Sequence, residues 1–207
     1  MKMKDFIWDF DGTLFDTYPN MLKAILKVLQ EEGISAEGEN IYRLLKEKSS
    51  KAVTQHYQLD FTDFSHRFHK YENEMEKWPH PFAYVTEMLI AVQKNGGRNF
   101  IMTHRTVSST KKLLGHYQLT DFFVEIVGEE NNFARKPDPE ALLYLVTKYH
   151  LPKKQTVMIG DRLLDIVAGK EAGLKTCFFD NEGLLENISA DYYATDFLQL
   201  QNLISES

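Results

Sequence analysis

The chain has 207 residues, 43% hydrophobic and 26% charged, with a formal net charge of −6 from 24 basic and 30 acidic residues. That is the make-up of an ordinary folded protein, large enough for one big core or for a core with a small appendage. No dense block of lysine and arginine is present, which speaks against nucleic acid as the main partner, since that binding draws on a concentrated basic face.

In chain order, residues 4–9 predict a strand that is apolar on both faces, as in a parallel sheet covered by helices. It breaks into Asp9-Phe10-Asp11-Gly12-Thr13-Leu14-Phe15-Asp16, which sets two carboxylates two residues apart where the core ought to close. Such a breach of local rules is expected at functional sites, although Asp and Gly are also ordinary turn residues. Asp16 and Thr17 predict a helix cap, with Pro19 in the first turn, Leu22, Ile25, Leu26 and Leu29 as the apolar stripe, and Gly33 as the stop. Helical spacing continues through Ile41, Leu44 and Leu45, through Val53 and Tyr57, and from Thr62 along Phe64, Phe68, Tyr71 and Met75. No strand pattern interrupts residues 17–77, and Trp78-Pro79-His80-Pro81 forces an extended exit.

Beyond this block strands and helices alternate. A helix over 83–95, carrying Val85, Met88, Leu89 and Val92, stops at Gly96-Gly97, and residues 99–103 form a short apolar strand ending in the hydroxyl of Thr103. A helix over about 106–115 and a strand over 123–127 follow, then a helix from Asp138-Pro139 with Leu142, Leu145, Val146 and Tyr149 in register. The strand 156–159 ends in Gly160-Asp161, a helix runs to Gly173, and the strand 175–179 ends at Asp180. Within that last strand lies Cys177, the single cysteine, whose apolar neighbours predict a buried thiol rather than a nucleophile. Residues 196–204 predict a final helix. The N-terminal residues 1–5 lack the apolar stretch of a signal peptide, and no run approaches the roughly 18 apolar residues of a membrane span, so a cytoplasmic protein without membrane contact is expected.

This alternation predicts a parallel sheet with right-handed crossovers, interrupted after its first strand by an all-helical insertion. Ligands of open parallel sheets bind outside the carboxyl ends of the strands. There the sequence places Asp9, Thr103, the loop holding Arg135-Lys136-Pro137-Asp138-Pro139, and Asp161. Taken singly, each has a plain reading: Thr103 as a strand-end hydroxyl, Lys136 as a solvated loop lysine, Asp161 and Asp165 as helix caps. Their joint position at one edge of one sheet is what the plain readings leave unexplained.

Four segments, in order, resemble the motifs of the haloacid dehalogenase-like (HAD) hydrolase superfamily. Asp9-Phe10-Asp11-Gly12-Thr13 is similar to motif one, Thr103-His104-Arg105 to motif two, Lys136-Pro137 to motif three, and Gly160-Asp161 with Asp165 to motif four. The likeness spans about residues 4–180, and the helical insertion falls where the C1 cap of this superfamily falls, as in phosphoglycolate phosphatases and β-phosphoglucomutases. The fold it implies is α/β: a Rossmann-like three-layer core with a parallel sheet, formed by residues 1–16 and 80–207, and an inserted helical cap, residues 17–79.

The resemblance also implies roles. Asp9 would be the nucleophile, forming an aspartyl-phosphate that divides a hard hydrolysis into two steps, and Asp11 the acid and then the base. Mg²⁺ would be held by the side chains of Asp9 and Asp161 and the backbone carbonyl of Asp11, with Asp165 holding a metal-bound water or orienting Lys136. Lys136 would supply fixed positive charge, while the Thr103 hydroxyl and amides near Asp11 and His104 would hold phosphoryl oxygens. An aspartate at position 11 fits enzymes that protonate a leaving oxygen. The expected activity is therefore that of a phosphoric monoester hydrolase, phosphoglycolate phosphatase-like, acting on a small phosphorylated metabolite. A sugar phosphomutase is the nearest alternative, and a non-catalytic binding protein a more distant one. A monomer or weak dimer is expected.

Substrate choice would fall to the cap. Relatives often carry a Gly-rich loop with a basic residue there, whereas this chain has Lys46-Glu47-Lys48-Ser49-Ser50-Lys51, without glycine. Lys48 or Lys51 could reach a second anionic group of the substrate, or the stretch is a solvated helix connection. His66 and His69 lack acidic or cysteine partners for a metal and are expected at the surface. Arg162, which follows the motif-four aspartate, is expected only to cap or pair locally.

Overall fold

The computed structural model describes residues 2–75, 77–185 and 187–205. The chain divides into two compact units, one made of Met1–Phe15 with Pro81–Ser207, the other of Asp16–His80.

The larger unit is built on β1 (Asp5–Trp8) and continues, after the insertion, with α5 (Val85–Lys94), β2 (Arg98–Met102), α6 (Val107–His116), β3 (Phe123–Val127), α7 (Glu140–Tyr149), β4 (Thr156–Gly160), α8 (Leu163–Glu171), β5 (Lys175–Phe179), β6 (Tyr192–Ala194), α9 (Phe197–Leu200) and α10 (Asn202–Ser205). Its six strands form one sheet in the order β3-β2-β1-β4-β5-β6. Every pairing is parallel, with Ile7 opposite Phe100 on one side and Met158 on the other. Helices cover both faces, which is why Phe6, Ile7 and Trp8 of β1, Phe100, Ile101 and Met102 of β2, and Val157, Met158 and Ile159 of β4 are apolar and buried whichever face they point to. On one face Ile7, Phe100, Met102 and Met158 pack with Ala141, Leu142 and Leu145 of α7 and Ala168 of α8. On the other, the Trp8 ring stacks 5.8 Å from Phe197 of α9, and its indole N–H donates to Asn99 Oδ1 at 3.0 Å, so its polar edge is satisfied inside the core.

The sheet's amino-terminal edge is closed by a structural ion pair. Arg98 Nε and Nη2 donate to the two oxygens of buried Asp5 at 2.7 and 3.0 Å. Reactive residues collect at the opposite edge.

The smaller unit is all-helical: α1 (Tyr18–Glu31), α2 (Gly38–Glu47), α3 (Ser50–Tyr57) and α4 (Phe61–Asn73). Ile25, Val28 and Leu29 of α1 pack with Ile41, Leu45, Val53, Phe64 and Phe68. Arg67 of α4 donates to Glu31 at 2.9 Å and to Asp63 at 3.0 Å, with Glu32 alongside, tying α4 to the end of α1. Asp60 caps α4 by accepting from the Asp63 amide.

Three local expectations are corrected. Thr17 occupies the cap position of α1 but makes no cap hydrogen bond; its hydroxyl turns to Met21 Sδ instead, 3.7 Å away. The helix expected over 196–204 is broken into α9 and α10 at Gln201. A sixth strand, β6, pairs with β5 in a stretch too short for any alternation to mark it. Among the described residues, no helix is long and apolar enough to cross a membrane.

Candidate active site

Asp9, Thr103 and Asp161 each sit one step beyond a strand end, and the first two are locked there by the sheet's own ladder. The amide of Asp9 donates to Ile159 O at 2.8 Å and that of Thr103 to Val127 O at 3.0 Å, so both residues remain in register after their strands end. Asp161 follows β4 directly, and Asp165 lies in the first turn of α8, where its Oδ2 accepts from the Arg162 amide at 3.0 Å. Gly160 makes this turn possible: a Cβ there would stand 2.3 Å from Asp165 Cβ and 2.5 Å from its Oδ2.

The side chains of Asp9, Asp161 and Asp165 are buried and bring ligand oxygens within 4.8 Å of one another, the one such group among the described residues. Uncompensated, three buried carboxylates would be very costly. Lys136 answers them first. Its Nζ donates to Asp9 Oδ1 at 2.7 Å and to Met102 O at 3.1 Å, and it lies 2.7 Å from Asp165 Oδ1 as an ion pair. Arg162 Nη2 lies 3.5 Å from Asp9 Oδ2. The expectation that Arg162 only pairs locally is therefore corrected, because its side chain reaches Asp9.

These neighbours decide the protonation states. Burial works against the charge on Asp9, but Lys136 and Arg162 outweigh it and hold its pKa below the ordinary carboxylate value. Burial also works against the charge on Lys136, and the carboxylates of Asp165 and Asp9 reverse that, raising its pKa. Asp165 is pushed up to about 6 by burial and then by the charge of Asp9. By formal charge the three carboxylates outnumber the cations Lys136 and Arg162 by one. An all-oxygen donor set, buried and with charge to spare, suits a hard divalent cation.

The motif-two tripeptide divides its work. The Thr103 hydroxyl accepts from the Arg105 amide at 3.1 Å, leaving its own proton to donate. His104 Nε2 accepts from the Lys136 amide at 2.9 Å, which requires the neutral ring and ties the Lys136 loop to β2. Burial, and then the positive charge of Lys136, drives the His104 pKa far below its ordinary value. Beside Thr103 and His104 lies a cavity of about 270 Å³, bordered by Val127, Gly128, Phe133 and Ala141. Asp11 is half-buried and pairs with Arg105. Thr13 Oγ1 donates to Asp161 Oδ1 at 3.4 Å.

The site thus unites Asp9, Thr103, His104, Lys136, Asp161 and Asp165 in the larger unit. Lys51 belongs to the helical unit, exposed on α3 with its Nζ 5.9 Å from the Phe61 ring. Lys46, rather than Lys48 or Lys51, is the buried lysine of that stretch, with its Nζ 4.6 Å over Tyr18. His66 is exposed and His69 Nδ1 lies 3.4 Å from Glu72, with no metal-like grouping among the described residues around them. Arg105 and Arg162 are the residues whose part the sequence reading missed. The signal available for each was an arginine within two residues of a strand-end motif residue, Thr103 for Arg105 and Asp161 for Arg162.

The family described as "Haloacid dehalogenase-like hydrolase" matches residues 6–179. The phosphoglycolate phosphatase of Photobacterium profundum is 28% identical over 82% of this chain and 80% of its own length. The N-acetylmuramic acid 6-phosphate phosphatase of Pseudomonas putida is 23% identical over 100% of this chain and 98% of its own. The crystal structure of a hydrolase from Streptococcus pneumoniae is 33% identical, with a TM-score of 0.63 over 87% of this chain and 94% of that one.

Proposed function

Because the chain belongs to the haloacid dehalogenase-like hydrolases, we propose that it is a Mg²⁺-dependent phosphatase that hydrolyses a small phosphorylated metabolite through an aspartyl-phosphate on Asp9. One observation carries this reading: the Asp9 carboxylate is buried, held ionised, and flanked by Lys136 Nζ at 2.7 Å and Arg162 Nη2 at 3.5 Å. An anion in that setting is kept charged for attack, and the same cations offset the charge of an arriving phosphoryl group. The names of the relatives, both phosphatases of small phosphate monoesters, support the substrate class.

In the first half-reaction an Asp9 oxygen bonds to phosphorus as the bond to the leaving oxygen breaks, and Asp11, which must enter this step as the carboxylic acid, gives its proton to that oxygen and is left as the carboxylate. In the second, Asp11 takes a proton from water, the water oxygen bonds to phosphorus, and the bond to Asp9 breaks, releasing inorganic phosphate. The Thr103 hydroxyl donates to a phosphoryl oxygen, while Lys136, aimed by Asp165 and by His104 through its backbone, holds its charge beside both nucleophile and phosphoryl group. Mg²⁺ would be held by the side chains of Asp9 and Asp161 and the carbonyl of Asp11, and would screen the repulsion between carboxylate and phosphate dianion. The helical unit, residues 17–79, would act as the cap that selects the leaving group, and a cytoplasmic location belongs to the same reading.

The test is turnover of p-nitrophenyl phosphate and of a panel of metabolite phosphates with Mg²⁺. The wild type should release phosphate and Asp9→Asn should be inactive. Undiminished activity in Asp9→Asn would overturn the assignment of the nucleophile.

A further inference from the structure

Arg105 is more tightly held than a strand-end arginine needs to be. Its amide donates to the Thr103 hydroxyl at 3.1 Å, and its carbonyl accepts from the Glu129 amide at 3.0 Å. That backbone fit depends on Gly128, where a Cβ would stand 2.5 Å from the Arg105 carbonyl oxygen and 2.9 Å from the Val107 amide nitrogen. The guanidinium lies 5.9 Å over the Phe10 ring, and its Nη1 donates to Ser109 Oγ at 3.0 Å on the first turn of α6. With the arm braced in this way, its remaining edge meets one carboxylate. Nε donates to Asp11 Oδ1 at 3.0 Å and to Oδ2 at 3.3 Å, and Nη2 donates to Oδ1 at 2.9 Å. The Arg105 side chain is 6% exposed and that of Asp11 is 14% exposed, so the pair is shielded from water.

We infer that Arg105 is a positioning residue for Asp11, setting the direction of the carboxylate that exchanges protons with the leaving oxygen and with water. The inference rests on the proton-transfer role proposed for Asp11. A carboxylate in the loop after β1 can rotate about two side-chain bonds, and a planar fork fixes both its position and its plane, which a single ammonium cannot do. Proton transfer depends on that aim, because a displacement of about 1 Å can cost about a hundredfold in rate. Phe10 and Ser109, neither of which enters the chemistry, explain how the fork keeps its own orientation.

The experiment compares wild type, Arg105→Met, Arg105→Lys, Asp11→Asn and the Arg105→Met/Asp11→Asn double variant on two substrates, with Mg²⁺ present. On glycerol phosphate, whose alkoxide must be protonated to leave, Arg105→Met should lose about tenfold to a hundredfold in kcat with KM little changed, and Arg105→Lys should fall between. On 2,4-dinitrophenyl phosphate, whose leaving group departs unprotonated, single-turnover release of dinitrophenolate should fall less than about threefold. In the Asp11→Asn background, Arg105→Met should cost less than about twofold more. Equal losses on both substrates, or full additivity with Asp11→Asn, would overturn the inference and leave the phosphatase reading standing. Activity in Asp9→Asn, or wild-type rates for Asp11→Asn on glycerol phosphate, would remove the reading on which the inference rests. Should Arg105→Met fail to fold, Ser109→Ala removes only the Nη1 brace. It should reproduce the substrate-dependent pattern at a smaller size, and uniform rates would count against the inference.

Discussion

The Nζ of Lys136 stands 2.7 Å from Oδ1 of Asp9, and neither side chain has meaningful contact with water. A buried ion pair of this kind is expensive to assemble and far more expensive to break, because the surviving partner keeps its charge without its counter-charge. Lys136→Met should therefore lower unfolding free energy by about 3–5 kcal/mol in urea titrations and reduce turnover by more than about a hundredfold. An unchanged denaturation midpoint would show that Asp9 and Asp165 do not depend on Lys136 for their charge balance.

Cation binding should be visible in stability as well as in activity. A ligand that binds only the native state adds about 2.7 kcal/mol when present at a hundred times its Kd. Mg²⁺ should accordingly raise the melting temperature of the chelator-treated protein, and Asp161→Asn should remove most of that shift. If wild type and Asp161→Asn respond alike, the cluster of Asp9, Asp161 and Asp165 is not the cation site.

His104 predicts a specific acid sensitivity. In the unfolded chain a histidine gains its proton near pH 6.5, whereas native His104 stays neutral far below that. The native state thus binds fewer protons, so the stability contributed by this residue is present above about pH 6.5 and is lost as pH falls below it, by about 1.4 kcal/mol per pH unit. His104→Gln, which keeps an acceptor near the Nε2 position without a titrating ring, should lose less stability between about pH 7.5 and 5.5 than the wild type. Parallel pH profiles for the two proteins in urea titrations would contradict the assignment.

Gly160→Ala tests how tightly the motif-four turn is built. The added Cβ would fall 2.3–2.5 Å from three atoms of the Asp165 side chain, so that carboxylate must move away from Lys136. The expected result is a folded protein with kcat lowered about a hundredfold or more. Wild-type activity would mean that the Asp165 contact is dispensable.

Much of this was legible in the amino-acid order because the constraints are local. β1 is apolar on both faces and then breaks at Asp9, and β4 ends in Gly160-Asp161, so the reactive edge of a parallel sheet can be read from where apolar runs stop. Other parts depend on distance in the fold. β6 is three residues long and exists because β5 offers an edge to pair with. Arg162 looks like a helix-start arginine until β1 and β4 are adjacent, and only then can its guanidinium reach Asp9. Asp11 and Arg105 are 94 positions apart, and their pairing requires β1 beside β2. The burial of Lys46 beneath Tyr18, in place of an exposed lysine, likewise follows from helix packing that spacing alone does not specify.

In the proposed mechanism Asp9 carries the phosphoryl group between the two half-reactions. The most direct measurement is mass spectrometry of peptides from protein quenched in acid during steady turnover of p-nitrophenyl phosphate with Mg²⁺. A phosphoryl adduct is expected on the peptide containing Asp9, discharged by hydroxylamine and absent in Asp9→Asn. Turnover with no adduct on that peptide, or an adduct mapped to another residue, would contradict it.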